Sequence, residues 1–375
     1  MATNNLPVVT VAQFSEIVKL QLSEKNYRPI FGLGKGGIGK TESIETLARR
    51  MNIGYIDIRL LLYAETDLKG IPYPDQSHTT TIWLQNNILP RADRDGNIGI
   101  LVLDEITSVQ RSVRTAAYQL LNERRLGEYK LPPNWLIVCL GNGEDDGGDF
   151  QGMEANFINR CSVFNVIPDV DTWKAWALQN NVNYLVTAYV SWRPSDLHTF
   201  NPDSETDVIF ASPRSWKAVS DILNAHPFNK DDTLNNARIM ANLGTTIGNN
   251  FIAFCKYKET TVEPADILAG KVKGFDSTSL EVLFLTMQGV VKLLSDMTNK
   301  DMQMTQKLSD STMDCWANAV RWMLSLKSVE HQVMGLKDLI KSNQNIASHL
   351  FLNPQFNAKC PELRTFVMNN QNVLN

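Results

Sequence analysis

The sequence predicts an α/β domain built on a mostly parallel sheet and followed by a helical region. Three observations predict it. A glycine-rich string, Gly34-Lys35-Gly36-Gly37-Ile38-Gly39-Lys40-Thr41, stands between a strand-like run and a helix-like one. Continuous apolar runs alternate with stretches of helical periodicity through residue 168. From Val170 onward the strand signal fades and helical spacing dominates.

The elements follow in order. Thr10 to Lys25 sets Phe14, Ile17, Val18 and Leu22 on one helical face. Pro29-Ile30-Phe31 reads as a strand leading into the glycine string. Thr41 to Met51 reads as the helix leaving it, with Ile44, Leu47 and Ala48 at helical spacing. Tyr55 to Ile58 is a second strand. Glu65 to Asn97, which holds Pro72, Pro74, Pro90 and Gly96, is loop-rich. Gly99 to Leu103 and Trp135 to Leu140 are unbroken apolar runs of the kind found in buried parallel strands. Val109 to Arg124 is the helix between them, and Ser162 to Val166 a short last strand. Further on, Trp216 to Leu223, Ala237 to Tyr257 and Ser279 to Leu294 read as helices. Pro194 to Asp207 and His226 to Thr233 read as linkers or long loops. Trp173 and Trp176, three apart, are packing residues.

With 375 residues, 43% of them hydrophobic, the chain is long enough for two or three domains. A net charge of −4 argues against a protein that coats nucleic acid. Residues Met1 to Pro7 lack a signal-peptide pattern. The longest apolar stretch, Leu280 to Leu294, carries Glu281 and Lys292 and is too short to span a bilayer. Cys139, Cys161, Cys255, Cys315 and Cys360 are scattered with no C-x-x-C, which points to a reducing cytoplasm rather than a disulfide or zinc framework. The five histidines are equally dispersed. Glu144 to Asp149 lacks the ligand spacing of a calcium loop and reads as a solvated acidic loop.

The glycine string fits the pattern G-x-x-x-x-G-K-[ST] at every fixed position. Its chemistry is the cradling of a polyphosphate. Gly34, Gly36, Gly37, Ile38 and Gly39 bring backbone N–H groups inward, and Lys40 reaches the outer phosphates. Thr41 holds a magnesium ion, and Glu42 sits in the first turn of the following helix, whose positive end faces the anion. Asp104 and Glu105 close the apolar strand Gly99 to Leu103, the Walker B arrangement. The first carboxylate serves Mg²⁺ with Thr41, and the second orients or deprotonates the attacking water. Asn142 follows the strand Trp135 to Leu140. It can meet the γ phosphate or the water, or it can be a turn former in Asn142-Gly143. Arg160 precedes the last strand and suits charge building on a transferring phosphoryl group. Its ordinary alternative is a surface salt bridge.

The order of these pieces resembles the AAA+ ATPases, and finer strings resemble their MoxR-like branch in bacteria and phages. The strings are Arg28-Pro29, Asp67-Leu68-Lys69-Gly70-Ile71-Pro72, Leu101-Val102-Leu103-Asp104-Glu105-Ile106, Leu121 to Pro132, and Ser212-Pro213-Arg214-Ser215-Trp216. The resemblance runs from about residue 10 to about residue 270. It implies a nucleotide-binding domain over residues 1–168, an α-helical lid over 169–270, and a helical C-terminal extension over 271–375. It implies Asn142 as sensor 1, Arg160 as an arginine finger reaching a neighbouring subunit, and Arg214 as sensor 2. Arg111, Arg114, Arg124 and Arg125 stand as alternative trans contacts. The sequence departs from the branch in Ile106-Thr107-Ser108, where Asn-Arg-Ala is common, and in Cys161, where an aromatic usually follows the finger.

The expected function is therefore Mg-dependent ATP hydrolysis by a cytoplasmic ring, usually a hexamer. The resemblance implies a chaperone-like action on a protein client, with a von Willebrand A domain protein as a possible partner. A nucleic-acid motor or loader is the alternative, disfavoured by the acidic balance and the lack of a basic, aromatic-interleaved stripe. A nucleotide-gated scaffold is a third reading. The branch's insertion would fall in Ile71 to Leu89, with Tyr73, His78 and Trp83. That segment reads either as a pore-facing grip or as a surface loop with Trp83 packed on the domain.

Overall fold

The computed structural model describes residues 6–84, 86–143, 155–201, 209–275, 278–343 and 353–369. The acidic run Glu144 to Asp149 lies outside them. The chain divides into two compact units, Met1–Asp169 with Phe200–Glu205, and Val170–Thr199 with Thr206–Asn375.

The first unit begins with β1 (Val8–Thr10) and α1 (Val11–Ser23), where Thr10 and Gln13 form a reciprocal capping box. Then come β2 (Ile30–Leu33), α2 (Lys40–Met51), β3 (Gly54–Arg59) and the short α3 (Glu65–Lys69). A hairpin, β4 (Ile71–Pro74) and β5 (Thr81–Leu84), interrupts the segment expected to be loop. After it follow α4 (Ala92–Asp95), β6 (Ile98–Asp104), α5 (Arg111–Glu123), the small ladder β7 (Arg125–Leu126) with β8 (Tyr129–Lys130), β9 (Asn134–Gly141), α6 (Ala155–Ile158) and β10 (Ser162–Ile167).

Among the described residues the main sheet has six strands in the order β1-β10-β2-β9-β6-β3, and every pair is parallel. A strand's side chains alternate between faces, so the unbroken apolar runs feed two cores at once. Trp135, Ile137 and Cys139 of β9 and Leu101 and Leu103 of β6 join one cluster, covered by Val113, Ala116, Ala117, Leu120 and Leu121 of α5. Leu136, Val138 and Leu140 with Ile100 and Val102 join the other, covered by Phe14 and Val18 of α1 and Ile44, Leu47 and Ala48 of α2. From β2 the chain builds outward to β3 and back to β9, and only then crosses to β10. The carboxyl end of β2 is thus a topological switch point, the usual place for a ligand in an open parallel sheet.

The second unit is helical among its described residues. It comprises α7 (Val170–Gln179), α8 (Tyr184–Trp192), α9 (Pro213–Ala225), α10 (Thr233–Leu243), α11 (Thr245–Lys256), α12 (Pro264–Leu268), α13 (Leu280–Thr305), α14 (Asp310–Leu324), α15 (Val329–Ser342), α16 (Pro354–Lys359) and α17 (Pro361–Asn369). The single helix expected over Ala237 to Tyr257 is two, broken at Gly244, whose φ of 80° a helix cannot continue through. Tyr189 of α8 packs against Trp192, Trp216, Phe251 and Phe254. Trp173 is buried in the same cluster and Trp176 packs on it. Among the described residues no helix is long and apolar enough to cross a membrane.

Candidate nucleotide site

The candidate site forms at the carboxyl ends of β2, β6 and β9. The glycine string leaves β2 and opens α2. Gly34 donates to the Gly141 carbonyl at 3.2 Å, tying the loop to the end of β9. A side chain at Gly34 would stand 2.1 Å from the Val166 carbonyl oxygen, so only glycine lets the loop pass β10. Gly39 is the residue before α2 and is left-handed, with φ 92°, as is Gly37 with φ 75°. A Cβ at Gly36 would meet nothing within 4 Å, so the loop is open at this position. Ile38 is buried beneath it, and Glu42 is exposed in the first turn of α2.

Lys40 is only 7% exposed. Its Nζ donates to the carbonyls of Gly34 at 2.5 Å and Lys35 at 2.9 Å, curled under its own loop. The hydroxyl of Thr41 donates to Asp104 Oδ2 at 2.8 Å across the gap between α2 and β6. Asp104 Oδ1 accepts from the Glu105 N–H at 2.8 Å. Glu105 itself is left-handed, with φ 62°, a conformation that costs a non-glycine residue about 1–3 kcal/mol and that gathers at functional sites. Two backbone hydrogen bonds hold it there, Ser108 N–H to Glu105 O at 3.0 Å and Ile106 N–H to Leu140 O at 3.1 Å.

Asn142 leaves β9 with its N–H donating to Thr107 Oγ1 at 3.1 Å. The departure Ile106-Thr107-Ser108 thus has a local role: Thr107 is fully buried and fixes the backbone that presents Asn142 beside the Asp104–Glu105 turn.

Asp57 is a residue that sequence reasoning passed over. It lies on β3, whose Arg59 is in register with Asp104. Its carboxyl is pushed up to about 6, first by burial, then by the negative charge of Asp104, with Arg59 pulling it back and Glu45 and Glu105 adding to the rise. Its Oδ1 is buried without a hydrogen-bond partner among the described residues. An acid inside the apolar run Tyr55 to Ile58 was the available signal. Because the folded value lies above the ordinary 3.8, this group's contribution favours the fold most below about pH 4 and is lost as pH rises through about 6. Asp57→Asn is therefore expected to raise the unfolding midpoint at pH 7.5, with the gain shrinking towards pH 4. Denaturant titrations at the two pH values check it; an equal effect at both would show that the charge is not responsible.

These residues fit a nucleotide with magnesium. A hydroxyl and a carboxylate in direct contact are a suitable pair of donors, and the negative charge of Asp57, Asp104 and Glu105 calls for a cation. Among the described residues no three His, Cys, Asp or Glu side chains converge as a cage. Mg²⁺ uses one or two protein ligands and completes its shell with phosphate and water.

Arg160 stands at the other end of the sheet. It precedes β10, and β10 starts level with β2, Ser162 opposite Ile30. The four residues of β2 therefore separate Arg160 from the start of the loop, roughly 13 Å at strand rise. Arg160 is exposed and makes no ion pair among the described residues. Its turn is tethered on both sides. Cys161 is buried, and Phe157 stacks on Tyr118 at 4.4 Å and meets Phe31 edge-on at 5.6 Å. Phe157 thus anchors the apolar side of this turn.

Of the alternative arginines, Arg114 is buried, and Arg124 donates to the carbonyls of Pro132, Pro133 and Trp135, so neither is presented outward. Arg125 is exposed and pairs with Glu123, and Arg111 is exposed. Arg214 belongs to the second unit. It is exposed in the first turn of α9, after the Ser212–Ser215 capping box and before the fully buried Trp216. A cation at the positive end of a helix dipole does not help the helix, so its place there has no stability rationale.

Comparison with known proteins agrees with this geometry. The family model described as AAA domain (dynein-related subfamily) matches residues 29–161. The chain is 26% identical over 198 residues to Midasin of Giardia intestinalis, an alignment covering 51% of this chain and 4% of that protein. It therefore spans only a small part of that relative's length. A solved structure of a candidate ATPase from Cytophaga hutchinsonii is 16% identical, covers 78% of this chain and 77% of its own, and superposes with a TM-score of 0.33, too loosely to bear on the assignment. The matched residues 29–161 contain the whole loop, Asp104, Glu105, Asn142 and Arg160. Residues 29–161 are thus similar to an AAA domain, and they carry the parallel sheet and phosphate loop of a P-loop AAA+ α/β fold.

Proposed function

We propose that this protein binds ATP at the loop Gly34–Thr41 and hydrolyses it, as a subunit of a ring that remodels or assembles a protein client. The observation that carries the reading is the 2.8 Å contact between Thr41 and Asp104, which brings the phosphate loop and the acidic strand end to one point. Lys40 would leave its carbonyl partners to meet the outer phosphates. Glu105 would orient and accept a proton from the attacking water, and Asn142 would report on the γ phosphate. When bound, Mg²⁺ would be held through Thr41 and Asp104 and would neutralise phosphate charge.

The finer assignment is our own reading of the resemblance. Arg160 acts as a finger in trans, since its end of the sheet is remote from its own loop. Arg214 acts as sensor 2 from a helical lid over residues 169–270. The ring is a MoxR-like hexamer. The hairpin β4–β5 supports a client-gripping role, because Ile71, Tyr73, Ile82, Trp83 and Leu84 are all exposed on it rather than packed on the domain. A von Willebrand A domain protein remains a partner to be sought by the same reasoning, and the cytoplasm the compartment.

Mixing subunits tests the trans arrangement. Arg160→Ala should lower turnover by about a thousandfold or more. Adding Lys40→Ala subunits, whose fingers are intact, should restore part of it. Absence of recovery at every mixing ratio would remove Arg160 from the neighbour's site.

A further inference from the structure

We infer that Arg28 is a positioning residue for Arg160, a clamp that fixes the turn from which the finger is presented. The inference rests on the reading of Arg160 given above and deepens it. Arg28 Nη2 donates to the carbonyl of Asn159 at 2.6 Å and to that of Cys161 at 3.3 Å. One guanidinium nitrogen thus grips the backbone immediately before and immediately after Arg160.

The clamp is itself held. Gln21 of α1 is buried, and its Nε2 donates to the carbonyls of Asn26 at 3.2 Å and Arg28 at 3.0 Å. The Arg28 N–H donates to Asn26 Oδ1 at 3.2 Å. The next residue, Pro29, accepts from the Ser162 N–H at 2.9 Å, which fixes the level of the strand starts. Parallel pairing of β2 and β10 places the residues before each strand side by side at the amino edge of the sheet. The turn itself has few internal ties. Among the described residues its backbone bonds include Arg160 N–H to Phe157 O at 3.0 Å and Cys161 N–H to Ile158 O at 3.1 Å. Phe157 and Cys161 anchor its apolar side, and Arg28 secures the carbonyls that those anchors leave.

Why an arginine is needed follows from donor geometry. A guanidinium presents several N–H donors in a rigid fork and stays charged, so it can hold two carbonyls at once. A lysine in its place is a mobile point donor. The side chain is also exposed. An exposed pair of hydrogen bonds adds little to global stability. Its value is in holding a transition-state contact in place, where a shift on the order of 1 Å can cost about a hundredfold in rate.

The test uses the full chain. Arg28→Ala should lower kcat about tenfold or more, with KM and ATP affinity unchanged, because its own phosphate loop is intact. Lys40→Ala subunits should rescue it in mixed rings, since they supply a clamped finger. In an Arg160→Ala background, Arg28→Ala should cause no further loss. Arg28→Lys, which keeps the charge and size, should fall between parent and Arg28→Ala, and it serves if the alanine variant folds poorly. Parental kcat in Arg28→Ala and Arg28→Lys while Arg160→Ala is impaired would overturn the clamp and leave the finger standing. Failure of rescue, or losses that multiply with those of Arg160→Ala, would also overturn it. Parental turnover in Arg160→Ala would remove both the finger and its clamp.

Discussion

Glu105→Gln is expected to bind ATP as the parent chain does and to lose about a hundredfold or more in turnover. The substitution keeps the shape of the side chain and removes its ability to take a proton. It leaves untouched the backbone that the site depends on. The left-handed turn at Glu105 is held by the bonds from Ser108 and Ile106 and by its own N–H to Asp104, and none of these uses the carboxylate of Glu105. In our reading binding depends on the loop, on Lys40 and on Thr41, all of which remain. Single-turnover hydrolysis separated from equilibrium nucleotide binding reads the two effects apart. Undiminished hydrolysis by Glu105→Gln would take the water-activating role away from this residue.

Removing one partner of the Lys174–Asp338 pair is expected to destabilise the second unit by about 3–5 kcal/mol. Lys174 of α7 donates to Asp338 Oδ2 of α15 at 2.7 Å, with the two side chains only 4% and 3% exposed. Gln288 of α13 donates to the same oxygen at 2.6 Å. Three helices therefore meet at one carboxylate, sealed from water. Lys174→Ala leaves a buried anion with a neutral donor alone, whereas Lys174→Met with Asp338→Leu removes both charges and should cost far less. Denaturant unfolding of the two variants checks the order. A single substitution that costs under about 1 kcal/mol would mean that the pair is solvated. The pair also ties residues expected in the lid to residues expected in the extension. In our reading, a lid motion would carry α13 and α15 with it.

Local chemistry was legible in the sequence. The phosphate loop is a contiguous string, and the Asp104–Glu105 pair ends an apolar run long enough to read as a buried strand. The strands β2, β6 and β9 around it were legible because a strand buried on both faces needs no alternation. What escaped is either too short or too distant. β1 is three residues at the sheet edge. The hairpin β4–β5 carries Pro72 and Pro74 and exposes its apolar residues, so it shows neither burial nor clean alternation. The hydrogen bond from Arg28 to Asn159 spans 131 positions, and that from Lys174 to Asp338 spans 164. Only the strand register and the helix packing bring such residues together, and no local pattern announces them. Asp57 was readable as a strand acid, but its proximity to Asp104 depends on β3 pairing with β6.

Calorimetric titration of Mg-ATP into the parent chain and into Lys40→Ala tests the central claim most directly. The account predicts saturable one-site binding to the parent and none to the variant, since in our reading the Lys40 ammonium leaves the Gly34 and Lys35 carbonyls to meet the phosphates. Lack of affinity for every purine triphosphate, or binding that survives Lys40→Ala unchanged, would contradict it.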